Sequence, residues 1–193
     1  MSRSVRHWIA TSFVVAAVAS LAACATDAPS GVTSKSTALP ATAIGDRSPE
    51  LGSCSYLQAD DTTKLAFHAY AVGVQIYRWT GTNWTFVGPS AKLYADANGN
   101  GEIGIHYAGP TWESVSGSKV VGIVDDRCTP DPTAIPWLSL NVVSSAGPGI
   151  FDGVTFIQRV NTVGGLIPSA PGSVVGETMG VPYSAEYYFY RAQ

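Results

Sequence analysis

Leu65-Ala66-Phe67-His68-Ala69-Tyr70-Ala71-Val72-Gly73-Val74-Gln75-Ile76-Tyr77-Arg78-Trp79 is the stretch that decides the fold class. Its second half alternates with a period of two. Val72, Val74 and Ile76 fall on one face of an extended chain, and Gly73, Gln75 and Tyr77 on the other. It reads as one long strand or a strand pair. The signature repeats downstream, with residues 84–87 extended, Gly88-Pro89-Ser90 a turn and 92–95 a short strand. Residues 102–107 and 111–115 flank a Gly109-Pro110 break, and 119–124, apolar on both faces, reads as a central strand. Residues 137–143 and 154–162 alternate, and 187–190 closes the chain, while 125–136 and 164–182 read as loops. Glycine and proline punctuate these segments, and nothing carries a helical period. The expectation is all-β: a single domain, an antiparallel β-sandwich or partly closed β-barrel of about 8–10 short strands.

Working towards the N-terminus, residues 1–23 carry Arg3 and Arg6 ahead of an uncharged apolar run. That run is shorter than the roughly 20 residues a membrane-spanning helix needs, and it fits a signal peptide. It ends in Leu21-Ala22-Ala23-Cys24, which resembles a bacterial lipobox, so Cys24 is the expected lipidation site and a lipid anchor in the membrane the expected attachment. Residues 24–50 are rich in Ser, Thr, Ala and Pro and read as a flexible tether, with residues 51–193 as the folded domain. The expected location is the cell envelope, facing outside the cytoplasm. Cys54 and Cys128 would then lie in an oxidising compartment and are expected to form a disulfide. The formal charge is −3, and removing the leader makes it more negative, a poor match to nucleic acid, which asks for a basic face.

Asp96-Ala97-Asn98-Gly99-Asn100-Gly101 matches the first half of a calcium loop, but Tyr107 stands where the bidentate glutamate is needed. Asn-Gly between alternating segments is a strong hairpin signal, and the hairpin is the preferred reading. No metal ligand and no cofactor is expected, since zinc spacings, phosphate loops and dinucleotide fingerprints are missing from the sequence.

Five blocks appear in order: Gly73-Val74-Gln75-Ile76-Tyr77-Arg78, then residues 106–113, then Ile135-Pro136-Trp137-Leu138, then residues 157–165, then Tyr187-Tyr188-Phe189-Tyr190. Together they resemble the DUF3455 family of mostly secreted bacterial and fungal proteins. The resemblance spans roughly residues 65–191 and implies no catalytic residues, because the family has no known function.

The residues themselves offer three readings. A non-enzymatic binding module for a carbohydrate, glycan or other small ligand would use aromatic faces beside polar side chains: Gln75, Tyr77, Tyr107, Trp112, Gln158 and Arg159. A hydrolase would use His106 and Glu113 as an acid–base pair across the Gly-Pro break. A structural surface protein would contact another envelope protein. Gln158 also falls on the apolar face formed by Val154, Phe156 and Val160. A buried amide is costly unless bonded, so it is expected to have defined partners.

Overall fold

The computed structural model describes residues 48–193; the leader, Cys24 and all but the end of the tether lie outside the described residues. Eight strands follow in chain order: β1 (Thr63–Trp79), β2 (Trp84–Tyr94), β3 (Glu102–Tyr107), β4 (Thr111–Ser114), β5 (Lys119–Cys128), β6 (Trp137–Ala146), β7 (Val154–Gly164) and β8 (Thr178–Ala192). Each pairs antiparallel with the next, and β8 pairs with β1, so the sheet closes on itself as a barrel. That closure decides between sandwich and barrel. The two longest strands zip together from Thr63↔Ala192 to Arg78↔Thr178 and leave neither as a free edge.

Three segments read as turns or loops are strand. Gly88-Pro89-Ser90 lies within β2, with Pro89 opposite Gln75 of β1. The pairing of β2 with β3 begins only at Ser90, so Pro89 sits where that side of β2 has no ladder partner and its missing N–H breaks no β2–β3 bond. Residues 125–127 extend β5 through a bulge between Val124 and Asp126, where the Asp126 N–H donates to Ser139 Oγ at 3.1 Å. Residues 178–182 belong to β8, which accommodates Pro182 opposite Val74.

The inward face of β1 is the less apolar one. Ala69 and Ala71 are buried and Gln75 is 2% exposed, whereas Val72 is 55% exposed. Width explains this. The interior already holds Trp112, Tyr183, Tyr187 and Phe189, which leaves small residues as the fit on β1. A Cβ at Gly73 would lie 2.5 Å from Ala91 Cα.

In an up-and-down barrel the connections gather at two ends. At the end holding the β6–β7 connection, Phe151 from that connection packs with Phe67 and Phe189, ring centroids 5.6 and 5.1 Å away. This is the closed floor. The opposite end carries the β1–β2, β3–β4, β5–β6 and β7–β8 connections. There Trp84 donates its indole N–H to the Ala170 carbonyl at 2.8 Å and pins the long β7–β8 connection.

A second apolar cluster covers the outside of the wall. The 3₁₀ helix Gly52–Leu57 lays Leu51, Cys54 and Leu57 against Val160, Tyr188 and Tyr190. The Cys54–Cys128 disulfide, 74 residues apart in sequence, staples that helix to the end of β5. Gln158 has the partners its burial demands: its Nε2 donates to the Leu57 carbonyl, and its Oε1 accepts from Tyr190 Oη, both at 2.6 Å.

Candidate functional site

The open end of the barrel holds a cavity of about 400 Å³. This lies within the range of roughly 300–1,000 Å³ seen for small-molecule sites, which occur in barrel mouths. Its walls are apolar: Phe86, Val87, Pro89, Pro110, Val124, Ile135, Pro136, Leu138 and Leu140. Gln75, Tyr77, His106, Trp112, Arg159 and Tyr187 bring polar groups to it. Each reaches the mouth through alternation. Gln75 and Tyr77 are the inward positions that follow Ala69, Ala71 and Gly73 along β1. His106 and Trp112 face each other across the β3–β4 ladder, and Arg159 follows Ile157 on the inner face of β7. A bulge lets Val87 of β2 loop out between Phe86 and Gly88, which places Phe86 and Val87 at the rim.

His106 is buried and stacked on Trp112, ring centroids 4.4 Å apart and planes within 12°. Its Nδ1 lies 2.8 Å from the Thr111 carbonyl, an acceptor, so Nδ1 carries the hydrogen and Nε2 is left with a lone pair. Burial lowers the imidazole pKa to about 3, and the positive charge of Arg159 pushes the same way. The ring is therefore neutral at ordinary pH. Arg159 donates from Nε and Nη2 to the Pro136 carbonyl at 3.2 and 2.8 Å, which fixes its plane. Burial raises the Tyr187 phenol, and Arg159 counters that rise.

Three deeply buried donors around the cavity have no hydrogen-bond partner: Gln75 Nε2, Trp112 Nε1 and Tyr187 Oη; Tyr183 Oη, beside Tyr187, shares this condition. Gly165 makes the packing behind them possible. Its φ is +76°, and a Cβ there would press on Gln75 Cγ and Ile135 at 3.1 Å. Its carbonyl accepts the Tyr77 hydroxyl at 2.7 Å.

The remaining residues singled out from sequence lie elsewhere. Glu113 and Tyr107 leave the outer face of the β3–β4 ladder, where the Tyr107 hydroxyl donates to Glu113 Oε2 at 2.6 Å. His106 leaves the inner face, so the sheet itself stands between the supposed acid–base partners. Alternation requires this: 106 and 113 are an odd number of residues apart across a ladder in which His106 faces Trp112. Tyr107 borders a shallow groove on the outer wall with Val72, Lys92 and Ile105. Gln158, 0% exposed, serves the outer cluster and does not line the cavity. The imidazole–carboxylate pair that does form, His68 Nε2 to Glu186 Oε2 at 2.9 Å, is also on the outer wall and borders neither cavity. The Asp96 loop is a turn whose carboxylate accepts the backbone N–H groups of Asn98 and Asn100 at 2.9 and 3.0 Å. Among the described residues there is no cluster of three metal-ligating side chains.

Sequence reasoning missed Arg127, which also lines the cavity, and Tyr183, which lies beside Tyr187. Tyr183, Ala185, Tyr187 and Phe189 alternate with a period of two, a signal hidden because residues 178–182 read as loop.

The family profile described as "Protein of unknown function (DUF3455)" matches residues 59–191. The chain belongs to the DUF3455 family. The match takes in the whole barrel except the last residue of β8, and its description assigns no activity. No curated protein and no solved structure matches the chain.

Proposed function

We propose that this DUF3455 protein is a non-enzymatic binding module of the cell envelope. In this reading Cys24 carries the lipid, residues 24–50 are the tether, and the barrel mouth takes up one small, largely apolar molecule. The observation that supports it most is the set of unpaired donors. Gln75 Nε2, Trp112 Nε1 and Tyr187 Oη are buried at an apolar cavity with no protein acceptor. A buried polar group left unpaired costs about 1–3 kcal/mol. Three in one place make sense where a ligand, or the water it displaces, supplies the acceptor. The apolar walls favour a hydrophobic body over a sugar.

A hydrolase built on His106 and Glu113 lacks its acid–base pair. Glu113 is across the sheet from His106, and a neutral imidazole with a pKa near 3 is far from the working range of a base at pH 7. Envelope attachment rests on the leader and the Leu-Ala-Ala-Cys run at residues 21–24. Cys24→Ser should release the protein from the membrane fraction.

A thermal-shift titration of the full chain with neutral, uncharged apolar probes tests the binding reading. Saturation at about 100 times the dissociation constant adds roughly 2.7 kcal/mol, several degrees in Tm. The probe should also perturb the fluorescence of Trp112, which lines the cavity. An unchanged Tm and unchanged emission across small molecules of every charge would end this reading.

A further inference from the structure

Taking the mouth as a ligand site, its electrostatics narrow the ligand further. No aspartate or glutamate lines the cavity. Arg159 does, half-buried, and among the described residues it makes no ion pair with a carboxylate. Its field reaches the whole inner mouth, since it disfavours protonation of His106 and eases ionisation of Tyr77, Tyr183 and Tyr187. The unpaired groups around it are mostly donors: an amide N–H₂, an indole N–H and a phenol. A site that offers one cation and several donors, with apolar walls and no acid, selects an acceptor-rich anion on a hydrophobic body.

The guanidinium geometry selects the kind of anion. The Nε and Nη2 edge is spent on the Pro136 carbonyl. This holds the plane rigid and leaves Nη1 without a protein partner among the described residues, with Tyr187 also lining the cavity. A planar carboxylate meets two parallel N–H groups on a guanidinium edge. Of the two arginines that line the cavity only Arg159 is half-buried, and it balances one negative charge. A phosphate, with close to two charges, would need Arg127 as its second cation, and Arg127 lines the cavity only from the exposed end of β5.

We infer that the barrel mouth binds a small organic monocarboxylate, with its carboxylate on the free edge of Arg159 and its apolar body between Trp112 and the Leu138–Leu140 wall. The Gln75 amide and the Trp112 indole donate to carboxylate oxygens or to a polar substituent on the body. A free fatty acid and an aromatic acid share this chemistry, and the volume of about 400 Å³ suits a short chain or one or two rings.

The test is calorimetric titration of the full chain with phenylacetate, indole-3-acetate and octanoate, each beside its primary amide and its methyl ester, and with phenethylamine and a neutral apolar dye. The acids should bind at least about tenfold more tightly than their neutral isosteres, the loss expected when a charged hydrogen-bonded pair is removed. Binding of either the aromatic acids or octanoate supports the class and tells the two sources apart. Arg159→Gln should remove the acid preference while leaving the dye affinity in place. Because this variant also gives up the bonds to Pro136, its Tm is measured alongside, and the acid-against-amide comparison on the unaltered protein stands without it. Equal or tighter binding of amides, esters or phenethylamine overturns the carboxylate assignment and leaves the binding module standing. Dye binding with no acid binding does the same. If neither the dye nor any acid binds, both readings fall together. A folded Arg159→Gln protein that still prefers acids overturns the role of Arg159.

Discussion

The two ends of this barrel are built from the same strands and hold opposite chemistry. Along β1 the inward positions run Phe67, Ala69, Ala71, Gly73, Gln75, Tyr77. Along β8, in the reverse direction, they run Phe189, Tyr187, Ala185, Tyr183. At the floor these residues meet Phe151 and need nothing but contact, with Phe67 stacked on Phe189 at 4.5 Å. At the mouth they carry an amide and phenols; the Tyr77 hydroxyl is bonded to the Gly165 carbonyl, but Gln75 Nε2, Tyr183 Oη and Tyr187 Oη find no partner. The floor is optimised for staying folded. The mouth gives up some of that stability and keeps its polar groups available.

Substitutions at the two ends should therefore separate stability from binding. The largest effect is expected at the floor. Phe151→Ala should lower unfolding stability by about 3–5 kcal/mol, the usual cost of removing a buried ring, and leave ligand affinity of the folded protein unchanged. An affinity change as large as the stability change would erase the distinction between the ends. Next comes the outer staple. A Cys54→Ser/Cys128→Ser protein should lose about 2–4 kcal/mol in denaturant unfolding, because the bridge closes a long loop in the unfolded chain. Ligand binding should survive.

The third effect belongs to the mouth and to pH. His106 is faced by Arg159, Trp112 and Tyr187, and its folded pKa is about 3 against an ordinary value of 6.5. Between those values the unfolded chain takes up a proton that the folded chain refuses. Stability should therefore fall as pH drops below about 6.5, by up to about 1.4 kcal/mol per pH unit. His106→Gln should flatten the slope of Tm between pH 6.5 and pH 5, a window in which most carboxylates stay ionised. An unchanged slope would mean that the ring is not held neutral. The smallest effect sharpens the comparison most. Gln75→Leu removes a buried amide N–H₂ that has no partner, so stability should hold or rise by up to about 1 kcal/mol. Affinity for a mouth ligand should drop at the same time. A clear loss of stability would show that the amide has a structural partner after all.

The alternation in β1, β6 and β7 was plain in the sequence, and it carried the all-β class and the strand count. It could not say which face of β1 turns inward. Val72, Val74 and Ile76 look like a core face, yet the crowding of Trp112, Tyr187 and Phe189 reserves the interior of β1 for alanine, glycine and the Gln75–Tyr77 pair. Aromatics from one strand thus dictate the residues on another, and that is not written locally. Pro89 and Pro182 read as breaks because proline is judged alone; register decides whether its missing N–H is needed. Gln75, Tyr77, His106, Trp112 and Arg159 share one cavity, and chemical type was enough to single them out. Glu113 is near His106 in sequence, but period two across the ladder places it outside. The need of Gln158 for partners is legible from its position on an apolar face, but they lie far off in sequence, in the 3₁₀ helix about a hundred residues earlier and at Tyr190 of β8.

The seam between β1 and β8 also sets when this molecule can fold. Its ladder joins nearly the first and nearly the last described residues, Thr63 to Ala192. β8 supplies Tyr183, Tyr187 and Phe189, so a growing chain that lacks it has an open wall and an unfilled interior. Short hairpins can come and go as the polypeptide emerges, but the closing contacts span the greatest loop the domain possesses, the slowest kind of contact to make. The barrel is in effect held open until β8 has been made, so its wall and its interior are completed in one step.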